Sequence, residues 1–370
     1  MKQRVDDHGV TPKVVDHLAA LTAFRDRDIL DVTLVGALRD LLRPLCVAIH
    51  RTVGEDQQHW LTRARLARGD AVASADPLGL ELGELPRLEA FPLRLASLNS
   101  QQPTTQSLEG SVVTVFPLST DRDVVGVLEI DTASALSAEQ HRMVSSVLRI
   151  YSNFQGLLDY SERDTLTGLL NRKTFEDGFT RVAGMLHVPP VPPPVPSVPP
   201  ATPLTPVSEP PVPTARRQSA DAGAWLGVVD IDHFKRVNDS HGHLMGDEVL
   251  LLLSRLMRSS FRFHDHLYRF GGEEFVVLMR CADAADAARA FERLRSNVQG
   301  YVFPRVGGIT VSVGVTKVRA GDTPSGAFER ADKAVYHSKQ NGRNQVADHA
   351  ELIARGILTE ASRASDIELF

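Results

Sequence analysis

Apolar residues along this chain recur in two rhythms, alternation and a three-to-four-residue repeat, and the switches between them predict its elements. Residues 47–51, 60–66, 111–118 and 124–130 read as strands, with Asp121-Arg122-Asp123 as the polar turn of the hairpin joining the last two. A helix is expected ahead of them, over about 26–42. Farther on, Met143, Val147, Ile150, Phe154 and Leu157 fall at 4-3-4-3 spacing. That heptad stripe suits a parallel dimer seam, although a helix lying on its own domain accounts for part of it. A second set follows: a helix at about 169–186, a buried strand at 226–229, a helix through 249–253, a strand at 276–279 and a helix at 287–295. Between the first two of these the texture changes. Residues 189–213 hold 13 of the chain's 22 prolines, a density that forbids helix and central strand and favours an extended spacer. Arg216 and Arg217 after it read as solvated charge, and the tail at about 352–370 is unassigned.

Chemistry concentrates in Arg269-Phe270-Gly271-Gly272-Glu273-Glu274-Phe275. Adjacent glycines read as a hairpin turn that a ligand can approach closely. Adjacent carboxylates are poor core material, because each would need desolvating. The stretch is therefore either a solvated hairpin tip or a place where a divalent cation and a polyphosphate sit. The strand at 226–229 ends in Asp230, with Asp232 two positions on. A carboxylate there can meet Glu273 from a neighbouring hairpin and hold Mg²⁺ through oxygen. Side-chain alternation along a strand sets Glu273 and Glu274 on different faces, so they are not expected to serve the same metal. The turn His233-Phe234-Lys235 offers backbone N–H groups and one ammonium to phosphate oxygens. Gly242-His243-Leu244-Met245-Gly246-Asp247-Glu248 reads as a loop opening a helix, with Asp247 near its N-terminus.

In this order, the residues resemble the GGDEF domain of diguanylate cyclases, which join two GTP molecules into cyclic di-GMP. The resemblance runs from about 164 to 346. It takes in Asp164-Thr165-Leu166-Thr167-Gly168-Leu169-Leu170-Asn171-Arg172, the strand with Asp230 and Asp232, the loop Asn238 to Asp247 and the GGEEF form of the signature. Thr310-Val311-Ser312-Val313-Gly314-Val315, Ala331-Asp332-Lys333-Ala334-Val335-Tyr336 and Lys339-Gln340-Asn341-Gly342-Arg343-Asn344 complete it. The resemblance implies an α/β (α+β) domain over 164–348, a mostly antiparallel sheet flanked by helices in a nucleotidyl-cyclase-like palm. It implies Asp230, Glu273 and the Ile231 carbonyl as ligands of Mg²⁺ (or Mn²⁺). Asn238 and Asp247 are expected to read the guanine edge. Phe234 and Lys235 would wrap the phosphates beside Gly271 and Gly272, and Lys339 and Arg343 would hold the terminal phosphates. Glu274, with Glu273, Asp230 and Lys235, belongs to the catalytic set that the resemblance implies. Arg330, Asp332 and Lys333 read as ordinary exposed helix contacts. The 3′-hydroxyl of one GTP would attack the α-phosphorus of the other, with two-metal positioning of both oxygens. Each domain would hold one GTP, so a homodimer is expected to close the site.

Arg262-Phe263-His264-Asp265 lies five residues ahead of Gly271. Alone it reads as an i,i+3 surface ion pair. At this spacing the family carries an inhibitory site for cyclic di-GMP, with Arg262 and Asp265 as its core and Arg293 as a secondary arginine. The chain departs from the family at about 187–220, where the proline-rich insert replaces a short connection.

Residues 1–136 resemble a GAF domain in pattern, with PAS-like folds as the alternative, and 137–163 would form a connecting dimerisation helix. Cys46, His50 and His59 show no ligand spacing and read as packing or surface residues. At 370 residues there is room for two domains, and a net charge of −5 argues against general nucleic-acid affinity. Two cysteines give no disulfide framework. No signal peptide or membrane-crossing run is evident, so a cytoplasmic protein without membrane insertion is expected, its sensor reading an unknown ligand or protein. Against the active cyclase stand an inactive GGDEF module that senses GTP or cyclic di-GMP, and a purine cyclase making a mononucleotide.

Overall fold

The computed structural model describes residues 10–23, 26–54, 57–77, 80–119, 124–185 and 223–359. They divide into two compact units: one runs to Thr165 and includes Arg262–His264, and the other takes in Leu166–Phe261 and the chain from Asp265 on. The expected turn at Asp121-Arg122-Asp123, the proline-rich insert and the Arg216-Arg217 pair lie outside the described residues.

The first unit begins with α1 (Val10–Ala23), which the sequence reading did not anticipate, and α2 (Arg27–Leu42). The Asp26 carboxylate accepts from the amides of Asp28 and Ile29, which fixes where α2 starts, and Arg43 ends it in a left-handed conformation. Then follow β1 (Cys46–Val53), β2 (His59–Ala67), α3 (Pro92–Ser100), β3 (Thr104–Leu108), β4 (Ser111–Ser119), β5 (Val124–Thr132) and α4 (Ala138–Glu162). The strands form one antiparallel five-stranded sheet in the order β2-β1-β5-β4-β3. Alternation sorts its two faces. Val47, Ile49, Phe116, Leu118, Leu128 and Ile130 pack with Leu30, Leu34 and Leu38 of α2 and with α4. Trp60, Val115 and Val127 face the other way, against Leu93 and Leu98 of α3.

Helix α4 packs on its own unit through only part of the expected heptad stripe. A capping box of Ser137 and Gln140 starts it, and its buried line is Val144, Val147, Leu148, Tyr151, Gln155 and Leu158. Of the heptad stripe, only Val147 is buried; Met143, Ile150 and Phe154 are half-buried and Leu157 is 66% exposed. A helix lying on a sheet and a helix in a seam share apolar positions, so spacing alone placed the inner face slightly off. A polar network pins this helix: Tyr151 Oη donates to Asp31 on α2 and accepts from Arg51 on β1 and from Gln155. One turn from its end, Arg27 bridges Asp159 at 2.9 Å and Glu162 at 3.0 Å.

The second unit carries β6 (Leu170–Asn171), α5 (Arg172–Met185), β7 (Gly223–Ile231), α6 (Phe234–His241), α7 (His243–Ser260), β8 (His266–Gly271) and β9 (Glu274–Cys281). It continues with α8 (Ala284–Gly300), β10 (Val302–Phe303), β11 (Gly307–Gly308), β12 (Val311–Lys317), α9 (Pro324–Gln340), β13 (Val346–Asp348) and α10 (His349–Ala354). Its six-stranded sheet runs β13-β12-β7-β9-β8-β6, antiparallel at the centre and parallel only at the two edge pairs. β10 and β11 form a separate hairpin. The sequence reading started the first helix at 169; the chain instead spends Leu170 and Asn171 on an edge strand beside Tyr268 and Arg269.

β7 lies between β12 and β9 and is covered on both faces, which explains its nearly unbroken apolar run. Val229 and Ile231 meet Val237 of α6, Leu250 and Leu253 of α7 and Phe291 of α8. Leu226 and Val228 meet Phe175 and Phe179 of α5 and Ala331 and Val335 of α9. α9 approaches the sheet closely at Gly314, where a Cβ would come 2.1 Å from the Ala331 carbonyl oxygen. Only glycine allows that approach, which brings the C-terminal end of α9 to the end of β7. Within the tail, Leu352 of α10 packs on Ala334 and Ala347. No helix among the described residues is long and apolar enough to cross a membrane.

Candidate active site at the end of the central strand

Asp230 sits one residue before the end of β7, paired with Ser312 of β12 on one side and Glu274 of β9 on the other. Its Oδ2 accepts from the Lys339 ammonium of α9 at 2.7 Å. Its Oδ1 is buried with no hydrogen-bond partner among the described residues. A buried carboxylate oxygen is costly without a donor or a cation. Burial raises the Asp230 pKa, Lys339 works against that, and Asp232 and Asp332 add to the rise.

The β8–β9 hairpin brings the second carboxylate. The adjacent glycines do not form the turn between them, as the sequence suggested. Gly271 is the last residue of β8, and the two-residue turn is Gly272-Glu273, with Gly272 at φ +44°. Glu273 therefore stands at the tip, outside the strand, and the alternation argument that separated it from Glu274 does not apply. The Ile231 amide donates to the Glu273 carbonyl at 3.4 Å, which ties the tip to the end of β7. Burial raises the Glu273 pKa and Asp230 raises it further, against Lys339. Glu274, opposite Asp230, is raised by burial, Asp332 and Asp230, with Arg172 and Lys339 opposing. These groups thus share one electrostatic neighbourhood. Arg269, which the sequence reading passed over, clamps the tip by donating to the Gly272 carbonyl at 2.9 and 3.2 Å.

A divalent cation fits this donor set: the orphaned Asp230 Oδ1, the Glu273 carboxylate and the Ile231 carbonyl are all hard oxygen donors.

The second expected group converges around α6. His233 takes a left-handed conformation (φ 59°) and turns the chain from β7 into the helix, so the amides of Phe234 and Lys235 lie in the first turn without intrahelical acceptors. Residues 238–247 are not the loop that was expected. Asn238 lies on α6 and Asp247 on α7, and the chain breaks only at Gly242 (φ 83°, ψ 161°). The two helices touch so tightly that a Cβ on Gly246 would come 2.0 Å from Asn238 Oδ1. Asn238 is half-buried and Asp247 exposed.

Lys339 is in the last turn of α9, whereas Arg343 lies beyond the helix in a turn where Gly342, Arg343 and Asn344 all have positive φ. Arg330 is not the exposed contact the sequence suggested. It forms a two-pronged pair with Asp322 at 3.0 and 2.5 Å and donates to the Lys317 carbonyl at 3.2 Å. Lys333 does pair with Glu329 one turn away, at 2.9 Å. Arg262 and Asp265 lie in the α7–β8 connection, directly after the C-cap Phe261. Arg293, on α8, donates through Nε and Nη2 to the carbonyl of Ser260, the last residue of α7.

Residues 214–345 match the family described as "Diguanylate cyclase, GGDEF domain". Over 135 residues the chain is 41% identical to "Diguanylate cyclase DgcP" of Pseudomonas aeruginosa, covering 36% of this chain and 20% of that protein. Over 129 residues it is 43% identical to "Response regulator PleD" of Caulobacter vibrioides, covering 33% of this chain and 28% of the other. Among solved structures it resembles the GGDEF domain of DgcB from Caulobacter crescentus, in complex with c-di-GMP. That match has 28% identity and a TM-score of 0.41, and covers 51% of this chain and 96% of that one. The chain thus spans less than a third of the length of these two curated relatives. The part of it at residues 214–345 is a GGDEF domain.

Proposed function

We propose that this chain is a metal-dependent diguanylate cyclase, condensing two GTP into cyclic di-GMP and two pyrophosphates between two GGDEF domains. The observation that carries the reading is the buried, unpartnered Asp230 Oδ1 beside Glu273 and the Ile231 carbonyl. When bound, Mg²⁺ or Mn²⁺ neutralises triphosphate charge and favours attack at the α-phosphorus. The chain's own residues do the rest by orientation. Asn238 of α6 and Asp247 of α7 read the guanine edge. The first amides of α6 and the Lys235 ammonium cradle phosphate oxygens, and Lys339 and Arg343 supply cationic charge to the terminal phosphates. One such half-site orients one GTP, so the reaction needs a second copy of the domain.

Regulation follows the same reading. Arg262, Asp265 and Arg293 would bind cyclic di-GMP and slow the enzyme. The sheet order of the first unit, with α2 and α4 on one face and α3 on the other, supports a GAF-like sensor. Its α4 leads into the catalytic part and would pair between subunits through the flank that its own core leaves uncovered, where Leu157 and Tyr160 are exposed.

The test is Glu273→Gln, assayed with GTP and Mg²⁺ and product identification by mass. Cyclic di-GMP formation is expected to vanish with the thermal midpoint unchanged, because the residue sits on a turn tip. Cyclisation at the wild-type rate removes Glu273 from the site.

A further inference from the structure

We infer that Asp232 is a positioning residue: it holds the turn that presents Arg343 and registers that cation to the end of β7. The inference rests on the proposed role of Arg343 as a phosphate-binding cation.

Asp232 follows β7 directly and is 6% exposed. Its Oδ1 accepts from Ser312 Oγ at 2.7 Å, and its Oδ2 accepts from Thr310 Oγ1 at 2.6 Å and from the Asn344 amide at 3.0 Å. Its own amide donates to the Thr310 carbonyl at 2.9 Å. All three partners of the carboxylate are donors, which suits a group that can only accept. The carboxylate is thus consumed by the fold, unlike that of Asp230 two residues earlier, which keeps one oxygen unsatisfied.

What Asp232 holds is a segment that would not hold itself. Gly342, Arg343 and Asn344 have φ values of 106°, 62° and 47°. Two successive non-glycine residues in this region are unfavourable and persist only where the surroundings impose them. Three bonds do so here. The Arg343 amide donates to the Ser338 carbonyl at 2.9 Å, Asn344 Oδ1 accepts from Arg295 at 2.8 Å, and the Asn344 amide reaches Asp232. Of these, only the last ties the turn to the strand that carries Asp230 and Ile231. The Arg343 side chain projects from this anchored backbone and is itself exposed. The Asp-x-Asp pattern therefore divides the labour: the first carboxylate faces the ligand, and the second fixes the cation that faces it.

The experiment compares wild type, Asp232→Asn, Arg343→Ala and the double variant as full chains with Mg²⁺, measuring GTP and GMP binding together with KM and kcat. In Asp232→Asn the negative charge is lost and one acceptor oxygen becomes an NH₂ donor, so the charge-assisted hold on the Asn344 amide is weakened. Arg343→Ala is expected to weaken GTP binding about tenfold, the scale of one charge-assisted hydrogen bond, while sparing GMP. Asp232→Asn should show the same GTP-selective loss, with KM rising more than kcat falls, and the double variant should lose no more than Arg343→Ala. Should Asp232→Asn fail to fold, Thr310→Val removes the neighbouring donor on Oδ2 and is expected to give a milder GTP-selective loss. Equal loss of GTP and GMP binding, additive single effects, or an unchanged GTP-to-GMP ratio in the variant that folds overturns the inference. Unchanged GTP binding in Arg343→Ala instead overturns the phosphate role on which it rests.

Discussion

Substituting Gly246 by alanine separates the guanine-reading role of Asn238 from the stability of the fold. Gly246 lies inside α7 at an ordinary helical φ, so the backbone accepts alanine, and in a helix that exchange contributes about 1 kcal/mol of stability. The added methyl group would meet Asn238 Oδ1 at 2.0 Å and the rim of Phe234 at 3.2 Å. A non-bonded contact of that kind settles at roughly 3.3 Å or more, so the carboxamide must retreat by about 1 Å. Because the obstructing atom ends a flexible side chain, the fold yields cheaply; the guanine contact does not. Displacing a positioned hydrogen-bonding group by about that much costs roughly ten- to a hundredfold in binding, or about 1.4–2.8 kcal/mol. GTP should therefore bind ten- to a hundredfold more weakly to Gly246→Ala, with a thermal midpoint equal to or above wild type. ITP, which lacks the 2-amino group, should lose less. Titration of both nucleotides alongside a melting curve checks this. Wild-type GTP affinity in a folded Gly246→Ala protein would refute the placement of Asn238 at the base.

Two further predictions concern stability. Burial, followed by Arg94 and Arg65, lowers the His50 pKa to about 3, and its Nδ1 lies 3.2 Å from Thr62 Oγ1. Unfolded, this histidine takes up a proton below about pH 6.5 that the folded state refuses, so stability falls with acidification through that window. Between pH 6.5 and 5 the loss is about 2 kcal/mol. Urea midpoints of the first unit at both pH values should show it, and His50→Gln should flatten the dependence; an equal drop in that variant refutes the assignment. Arg330→Ala removes the two-pronged pair with Asp322, whose side chains are 17% and 8% exposed, and leaves that carboxylate nearly buried. A loss of about 2–3 kcal/mol in denaturant unfolding of the second unit is expected, and an unchanged midpoint counts against it.

What the sequence disclosed follows from how locally each feature is determined. β7 and β9 were legible because strands covered on both faces read as apolar runs, and α2 because Asp26 and its apolar spacing mark it unaided. The two-residue β6 was not legible, since its pairing with β8 depends on residues about a hundred positions away. Helix α3 starts at a proline after an irregular stretch, and only four apolar side chains of the sheet, Trp60, Val113, Val115 and Val127, define its inner face. For the proposed site, the family's pattern supplied Asp230, Glu273, Asn238 and Asp247, but not the elements that carry them. The break between α6 and α7 is a single residue rather than a loop, because Gly246 lets the helices touch. Asp232 stayed silent for the same reason as β6: its partners lie 78, 80 and 112 residues away. Arg330 looked like a surface helix residue because its counter-charge comes from the preceding loop.

The two ends of β7 differ in how much change in chain length they can absorb. Gly223 opens the strand and Asp230 stands seven residues later, a separation of about 23 Å along an extended backbone. Segments joined ahead of Gly223 can grow with only a logarithmic entropic penalty, because they enter the strand at the end away from Asp230. A single residue inserted within the strand would instead rotate every later side chain to the opposite face, turning Asp230 towards Val237 and Leu250. Length variation in this protein is therefore permissible at one pole of the strand and prohibited along the rest of it.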